Sequence, residues 1–106
     1  MNKLLILTLS AGLLALSPLA ASAADAAAGK AKTAACAGCH GADGVSKDAK
    51  TPTLACQKPE ALAAALREYK SGKRTHAMMK AMAGGLSDAD VDNVAAHYAS
   101  LPCAKK

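Results

Sequence analysis

The chain has no phenylalanine and no tryptophan, and Tyr69 and Tyr98 are its only aromatics. Aromatic side chains normally supply large blocks of buried area in a small core. Alanine, which dominates here, buries little. Without its first 23 residues the chain keeps 83 of its 106, and a domain of that size is marginal even with a well-filled core. The shortage points to a bulky apolar cofactor as filler.

Other absences narrow the field. No stretch alternates apolar and polar residues with period two for long, so no sheet is expected. No dense basic stripe carries interleaved aromatics, which argues against nucleic acid. There are no internal repeats, and 106 residues are enough for one domain and no more. No acid–base pair for substrate turnover is readable, so the chain does not read as an enzyme.

The one long apolar run is at the start. Met1-Asn2-Lys3 gives a positive entry, Leu4 to Leu16 is nearly unbroken, Pro18 interrupts, and Ala21-Ser22-Ala23 supplies small residues. This is the layout of a secretory signal peptide cleaved after Ala23. The run is short for a membrane span, which takes about 20 apolar residues. The expected division is a leader over 1–23 and a domain over 24–106, exported, with no stable membrane insertion after cleavage. The whole chain has thirteen basic and eight acidic residues. Cleavage removes only Lys3 among them, leaving twelve against eight and a net charge of +4. That mild bias suits an acidic partner.

Along the domain, Asp25 to Cys36 suits a helix. Asp25 can cap it, and alanines 27, 28, 31, 34 and 35 form a small-residue face for close approach of another helix. Residues 41–53 are rich in Gly, Asp, Ser, Lys and Pro and read as loop. Pro59 to Lys70 predicts a second helix: Pro59 suits its first turn, Leu62, Leu66 and Tyr69 recur at helical spacing, and Gly72 ends it. Ser71 to Gly85 is loop-like with room for helical turns. Ser87 to Leu101 is the clearest helix. Ser87 and Asp90 resemble a capping box, Val91, Val94, Ala95 and Tyr98 share a face, and Pro102 stops it.

The chemistry is concentrated in Cys36-Ala37-Gly38-Cys39-His40. Two thiols lie about one helical turn apart, with an imidazole directly after the second. Each thiol can form a thioether to one haem vinyl group, and the adjacent His can ligate the iron; the text is that of a c-type haem attachment site. A redox dithiol would use the same cysteines but lacks a βαβ context. A zinc site would need a further ligand pair, which Cys56 with Cys103 or His76 supplies only loosely. Export disfavours both zinc thiolates and free thiols. A haem iron held by His on one side takes Met, His, Cys or water on the other. The residues alone leave Met78, Met79 and Met82 as candidates, and Met also serves as core filler.

The chain resembles a bacterial class I cytochrome c, of the small periplasmic kind also found as modules of tandem di-haem cytochromes. The matching text is Cys36 through Gly44, Pro52-Thr-Leu-Ala55, Tyr69 through His76, Met78-Met-Lys-Ala-Met82, Leu86 through Asp90 and Ala95 through Leu101. It covers essentially the whole segment after the leader. The resemblance implies an all-α fold in which three to four helices wrap one covalent haem c, the first and last helices crossing. It implies thioethers at Cys36 and Cys39 and axial iron ligands at His40 and Met79, the family placing its Met eight residues before the Ser that opens the last helix. It further implies a Pro52 carbonyl on the haem His, Arg74 near a propionate, and Tyr98 packed from the last helix onto the first.

One departure stands out. Where the family carries Gly, this chain has Cys56. With the haem motif occupied, Cys56 is left with Cys103, so a disulfide is expected. Two free thiols or an intermolecular link are the alternatives. His76 and His97 are expected at the surface.

The expected function is a periplasmic single-electron carrier with His/Met-ligated haem. The alternatives are a haem subunit of a periplasmic dehydrogenase complex and a haem-based ligand sensor. The expected partners are redox proteins with an acidic face, docking near Lys47, Lys50 and Lys80, with the chain a monomer or one subunit of a redox complex.

Overall fold

The computed structural model describes residues 24–104. The leader expected over 1–23 lies outside the described residues. The described residues form five helices and no strand: α1 (Ala26–Lys30), α2 (Ala34–His40), α3 (Pro59–Ser71), α4 (Ala77–Gly84) and α5 (Asp88–Ser100). The fold is all-α, the class expected of a class I cytochrome c.

The single helix expected from Asp25 to Cys36 is two. Asp25 caps α1, its Oδ1 accepting from the Ala28 N–H at 3.1 Å. The chain then tightens. The Lys32 N–H donates to the Gly29 carbonyl at 2.9 Å and the Thr33 N–H to the Lys30 carbonyl at 3.1 Å. These are i→i+3 bonds of the 3₁₀ kind that close a helix end. The Thr33 hydroxyl also donates to the Lys30 carbonyl at 2.8 Å, the side-chain competition that makes Thr weak inside helices.

The alanines expected to form a close-approach face, at 27, 28, 31, 34 and 35, are exposed instead. The residue in contact is Gly29, which is buried. A Cβ built on it would lie 1.9 Å from the Asn93 carbonyl oxygen. The Asp25 N–H donates to Asn93 Oδ1 at 2.8 Å at the same crossing. The first and last helices therefore approach backbone to backbone at Gly29.

Helix α3 begins at Pro59 and ends on Gly72 in the left-handed conformation. Residues expected to be mainly loop between Ser71 and Gly85 contain α4, capped by His76. Helix α5 opens with the expected capping box. The Asp90 N–H donates to Ser87 Oγ, and the Ser87 N–H donates to Asp90 Oδ2, each at 3.0 Å. That second bond holds the Asp90 carboxyl below the ordinary carboxylate range.

The packed core is small. Leu62 and Ala63 of α3 meet Val91, Val94, Ala95 and Tyr98 of α5. His97 is buried too, at 7% exposure, contrary to the surface position expected for it. Burial lowers its pKa, and the charge of Lys30 adds to the effect. His76 is exposed, as expected.

The loop from α2 to α3 is fastened at both ends. Gly41 has φ +89°, and a Cβ there would lie 2.3 Å from the Val45 carbonyl oxygen. At the far end the Cys56 N–H donates to the Tyr98 carbonyl at 3.0 Å. Cys56 is joined to Cys103 by a disulfide with Cα atoms 4.7 Å apart.

Candidate functional site

Helix α2 and the loop after it build one wall of the site. Cys36 and Cys39 stand three residues apart on α2, about one turn. Cys36 is half-buried and Cys39 exposed, and both thiols are free. Burial pushes the Cys36 thiol pKa up, and the neighbouring Tyr98 hydroxyl lowers it in part. Tyr98 lies 2% exposed, and burial raises its own pKa to about 12.

His40 ends α2 and is buried. Its Nδ1 is 2.8 Å from the Pro52 carbonyl oxygen. A carbonyl can only accept, so Nδ1 carries the proton of the neutral ring. Nε2 then keeps its lone pair, the form of imidazole that binds metals. The Pro52 carbonyl thus fixes both the tautomer and the orientation of the ring.

These groups open onto a cavity of about 320 Å³, within the range of roughly 300–1,000 Å³ for small-molecule pockets. Cys36, Cys39, His40 and Pro52 line it together with Met78, Met79 and Met82 of α4. Leu62, Leu66 and Tyr69 of α3 and Leu54 of the loop add apolar wall. All three methionines thus reach one space. Met79 is half-buried, whereas Met78 is 55% and Met82 36% exposed.

Arg74 also lines the cavity. Its guanidinium is engaged by Glu68, with Nε donating to Oε1 at 2.9 Å and NH2 to the same oxygen at 2.8 Å, and it lies 5.4 Å from the Tyr69 ring centroid. His76 is a cavity residue to which the sequence assigned only a surface position. Its place directly before the apolar start of α4 is the available signal, a weak one because His is not among the favoured caps.

The competing chemistries find no support here. The disulfide takes up Cys56 and Cys103, so neither is a zinc ligand. A βαβ unit for dithiol exchange is missing among the described residues.

The residues fit a c-type haem. An apolar cavity in a domain short of aromatics offers two free thiols, an imidazole held by its far nitrogen, and thioethers from α4. The thiols would hold the macrocycle, and His with Met would ligate the iron.

The sequence matches the family "Cytochrome C oxidase, cbb3-type, subunit III" over residues 22–97. A search of curated proteins finds no match. Similar solved structures include cytochrome c4 of Acidithiobacillus ferrooxidans, 28% identical at TM-score 0.68, covering 76% of this chain and 52% of that one. Cytochrome c4 of Pseudomonas stutzeri is 26% identical at TM-score 0.66, covering 87% and 54%. Thiosulfate dehydrogenase (TsdBA) of Marichromatium purpuratum is 34% identical at TM-score 0.71, covering 89% and 22%. The chain thus spans about half the length of the two cytochromes c4 and about a fifth of the dehydrogenase. With the family match covering most of its length, the chain belongs to the family of cytochrome c oxidase, cbb3-type, subunit III, as a class I cytochrome c module whose cofactor is covalent haem c.

Proposed function

We propose that this chain is an exported single-electron carrier with one haem, held through Cys36 and Cys39 and ligated by His40 and Met79. The observation that carries the reading is His40. Its Nδ1 is engaged by Pro52, and its ring lines the same cavity as both free thiols and Met79. Haem c, when bound, supplies one reversible electron at its iron.

The chain's residues keep that exchange free of large rearrangement. The Pro52 carbonyl holds the imidazole, α4 would supply a soft thioether, and Leu54, Leu62 and Leu66 add apolar wall to the cavity. Met79 together with His40 would hold such an iron at a raised potential. The leader-like sequence over 1–23 supports export, and haem c attachment suits an exported chain.

The test is the visible spectrum of haem-loaded full-length protein, with and without carbon monoxide. The expected result is a low-spin iron with the far-red Met–sulfur band and no prompt carbon monoxide binding. The band is expected to vanish in Met79→Ala. Prompt binding by the parent protein would contradict the carrier and favour a ligand sensor. Lys50 lines the cavity and Lys80 stands on α4, so an acidic partner is the natural match. Neutralising both should flatten the salt dependence of partner reduction; an unchanged dependence removes that docking face.

A second reading has a specific motive. The matched module is only 22% of the thiosulfate dehydrogenase chain, so a module like this one occurs inside a longer chain. Co-purification with a larger chain would favour the haem-subunit role.

A further inference from the structure

The segment that delivers Met79 is held in place by a chain of side chains running back to α3. The C-terminal end of α3 supplies Glu68 and Tyr69. Arg74 folds back onto both: its backbone N–H donates to the Glu68 carbonyl at 3.1 Å, its guanidinium to the Glu68 carboxylate, and its cationic centre lies 5.4 Å from the Tyr69 ring centroid. Tyr69 in turn meets the His76 ring edge-to-face, centroids 6.1 Å apart at 81°. His76 then reaches Met79. The Met79 N–H donates to His76 Nδ1 at 3.2 Å, while the His76 carbonyl accepts from the Lys80 N–H at 2.8 Å.

We propose that His76 is a positioning residue for the methionine ligand, fixing the first turn of α4 by capping the peptide N–H of Met79 itself. The inference rests on the reading of Met79 as a ligand and deepens it. Helix α4 has only eight residues and no acidic residue in its first turn. A helix that short is marginal by itself, and the N–H groups of its first turn have no partner within the helix, so a cap must supply one. His76 adopts the extended backbone of a cap, φ −169° and ψ 107°. To accept at Nδ1 its neutral ring must carry the proton on Nε2. The edge contact with Tyr69 sets the ring plane that makes this possible. Both thiols and His40 sit on α2, whereas Met79 sits on a separate short helix. The sulfur position therefore depends on how well α4 is seated, and His76 is the side chain that seats it.

The test uses haem-loaded full-length protein and three variants: His76→Ala, His76→Asn and Met79→Ala. Readouts are the far-red sulfur band, the midpoint potential, the rate of carbon monoxide binding and the global Tm. Asn is among the favoured caps and reaches the same N–H. His76→Ala is expected to weaken the band, lower the potential and speed carbon monoxide binding about fivefold, the shift a typical cap loss gives a local opening equilibrium. His76→Asn is expected to restore all three to near the parent values. A band, potential and binding rate unchanged in His76→Ala, while Met79→Ala abolishes the band, overturn the positioning role and leave the ligand intact. A band strengthened in His76→Ala also overturns it, because His76 would then compete with Met79. A band that survives Met79→Ala overturns the ligand reading itself. A fall in Tm with the band unchanged marks a merely structural cap and likewise overturns the proposal.

Discussion

Gly29 leaves no room for a methyl group. A Cβ on it would fall 1.9 Å from the Asn93 carbonyl oxygen and 2.3 Å from the Asn93 carbonyl carbon, and backbone cannot step aside as a side chain can. Gly29→Ala should push α1 off α5. The expected cost is about 2 kcal/mol, the middle of the overpacking range, or roughly 10 °C in Tm for a domain of this size. An unchanged Tm by calorimetry would refute the tight crossing. At this scale the haem motif is legible in the sequence, because Cys36, Cys39 and His40 carry chemistry by identity and spacing alone. Gly29 is not. The sequence shows a small-residue face but not which small residue meets α5, since alanine and glycine look alike in a hydrophobic pattern. His97 departs from its expected surface position for a related reason: helical periodicity locates the core face through Val94 and Tyr98 but not how far a neighbouring element covers its flank. Cys56 has φ +71°, a conformation that glycine adopts freely and other residues hold at a cost of about 1–3 kcal/mol. Cys56 holds that conformation while tied to Cys103.

Among the elements, α3 and α5 are legible to within a residue or two, because both carry apolar spacing and clear terminal signals. Helix α5 has Ser87 and Asp90; α3 has Pro59 and Gly72. The first helix is expected too long because alanine favours helix everywhere and hides a break made by one Thr hydroxyl. Helix α4 is hard to read because its cap is a histidine and its end a Gly-Gly pair. The capping box of α5 has a pH signature. Bonding to Ser87 lowers the Asp90 pKa in the folded chain, so the unfolded chain binds more protons around the ordinary carboxylate pKa. The stability from this group is present above that pKa and is lost as pH falls through the lowered one. The Tm gap between the parent and Asp90→Asn should be widest near neutrality and should shrink below about pH 4. An equal gap at both ends of the range would mean the carboxylate contributes nothing to the cap.

Among the described residues, α2 to α5 and the loop after α2 line one cavity. The molecule's packed core is the facing sides of α3 and α5, with Tyr98 the one aromatic in it. That explains how it manages with so few aromatics: the space they would fill belongs to a cofactor. The disulfide spans 47 residues of sequence, a loop whose closure contributes about 4 kcal/mol on the chain-entropy estimate. It joins the loop beyond Pro52 to the end of α5, and so braces the wall that holds His40. The fold class is legible from the motif and the family text together. The closure of the site is only partly so, because it depends on which loops touch, and loops carry little periodicity.

The most direct measurement is the intact mass of the full-length chain, expressed in a host that attaches haem c, after acid denaturation and organic extraction of loose haem. The mass should be that of the polypeptide left after export, residues 24–106, plus one haem, and the Cys36→Ser, Cys39→Ser double variant should lose that increment. Haem that passes entirely into the organic phase, leaving the bare chain, would contradict covalent attachment at Cys36 and Cys39.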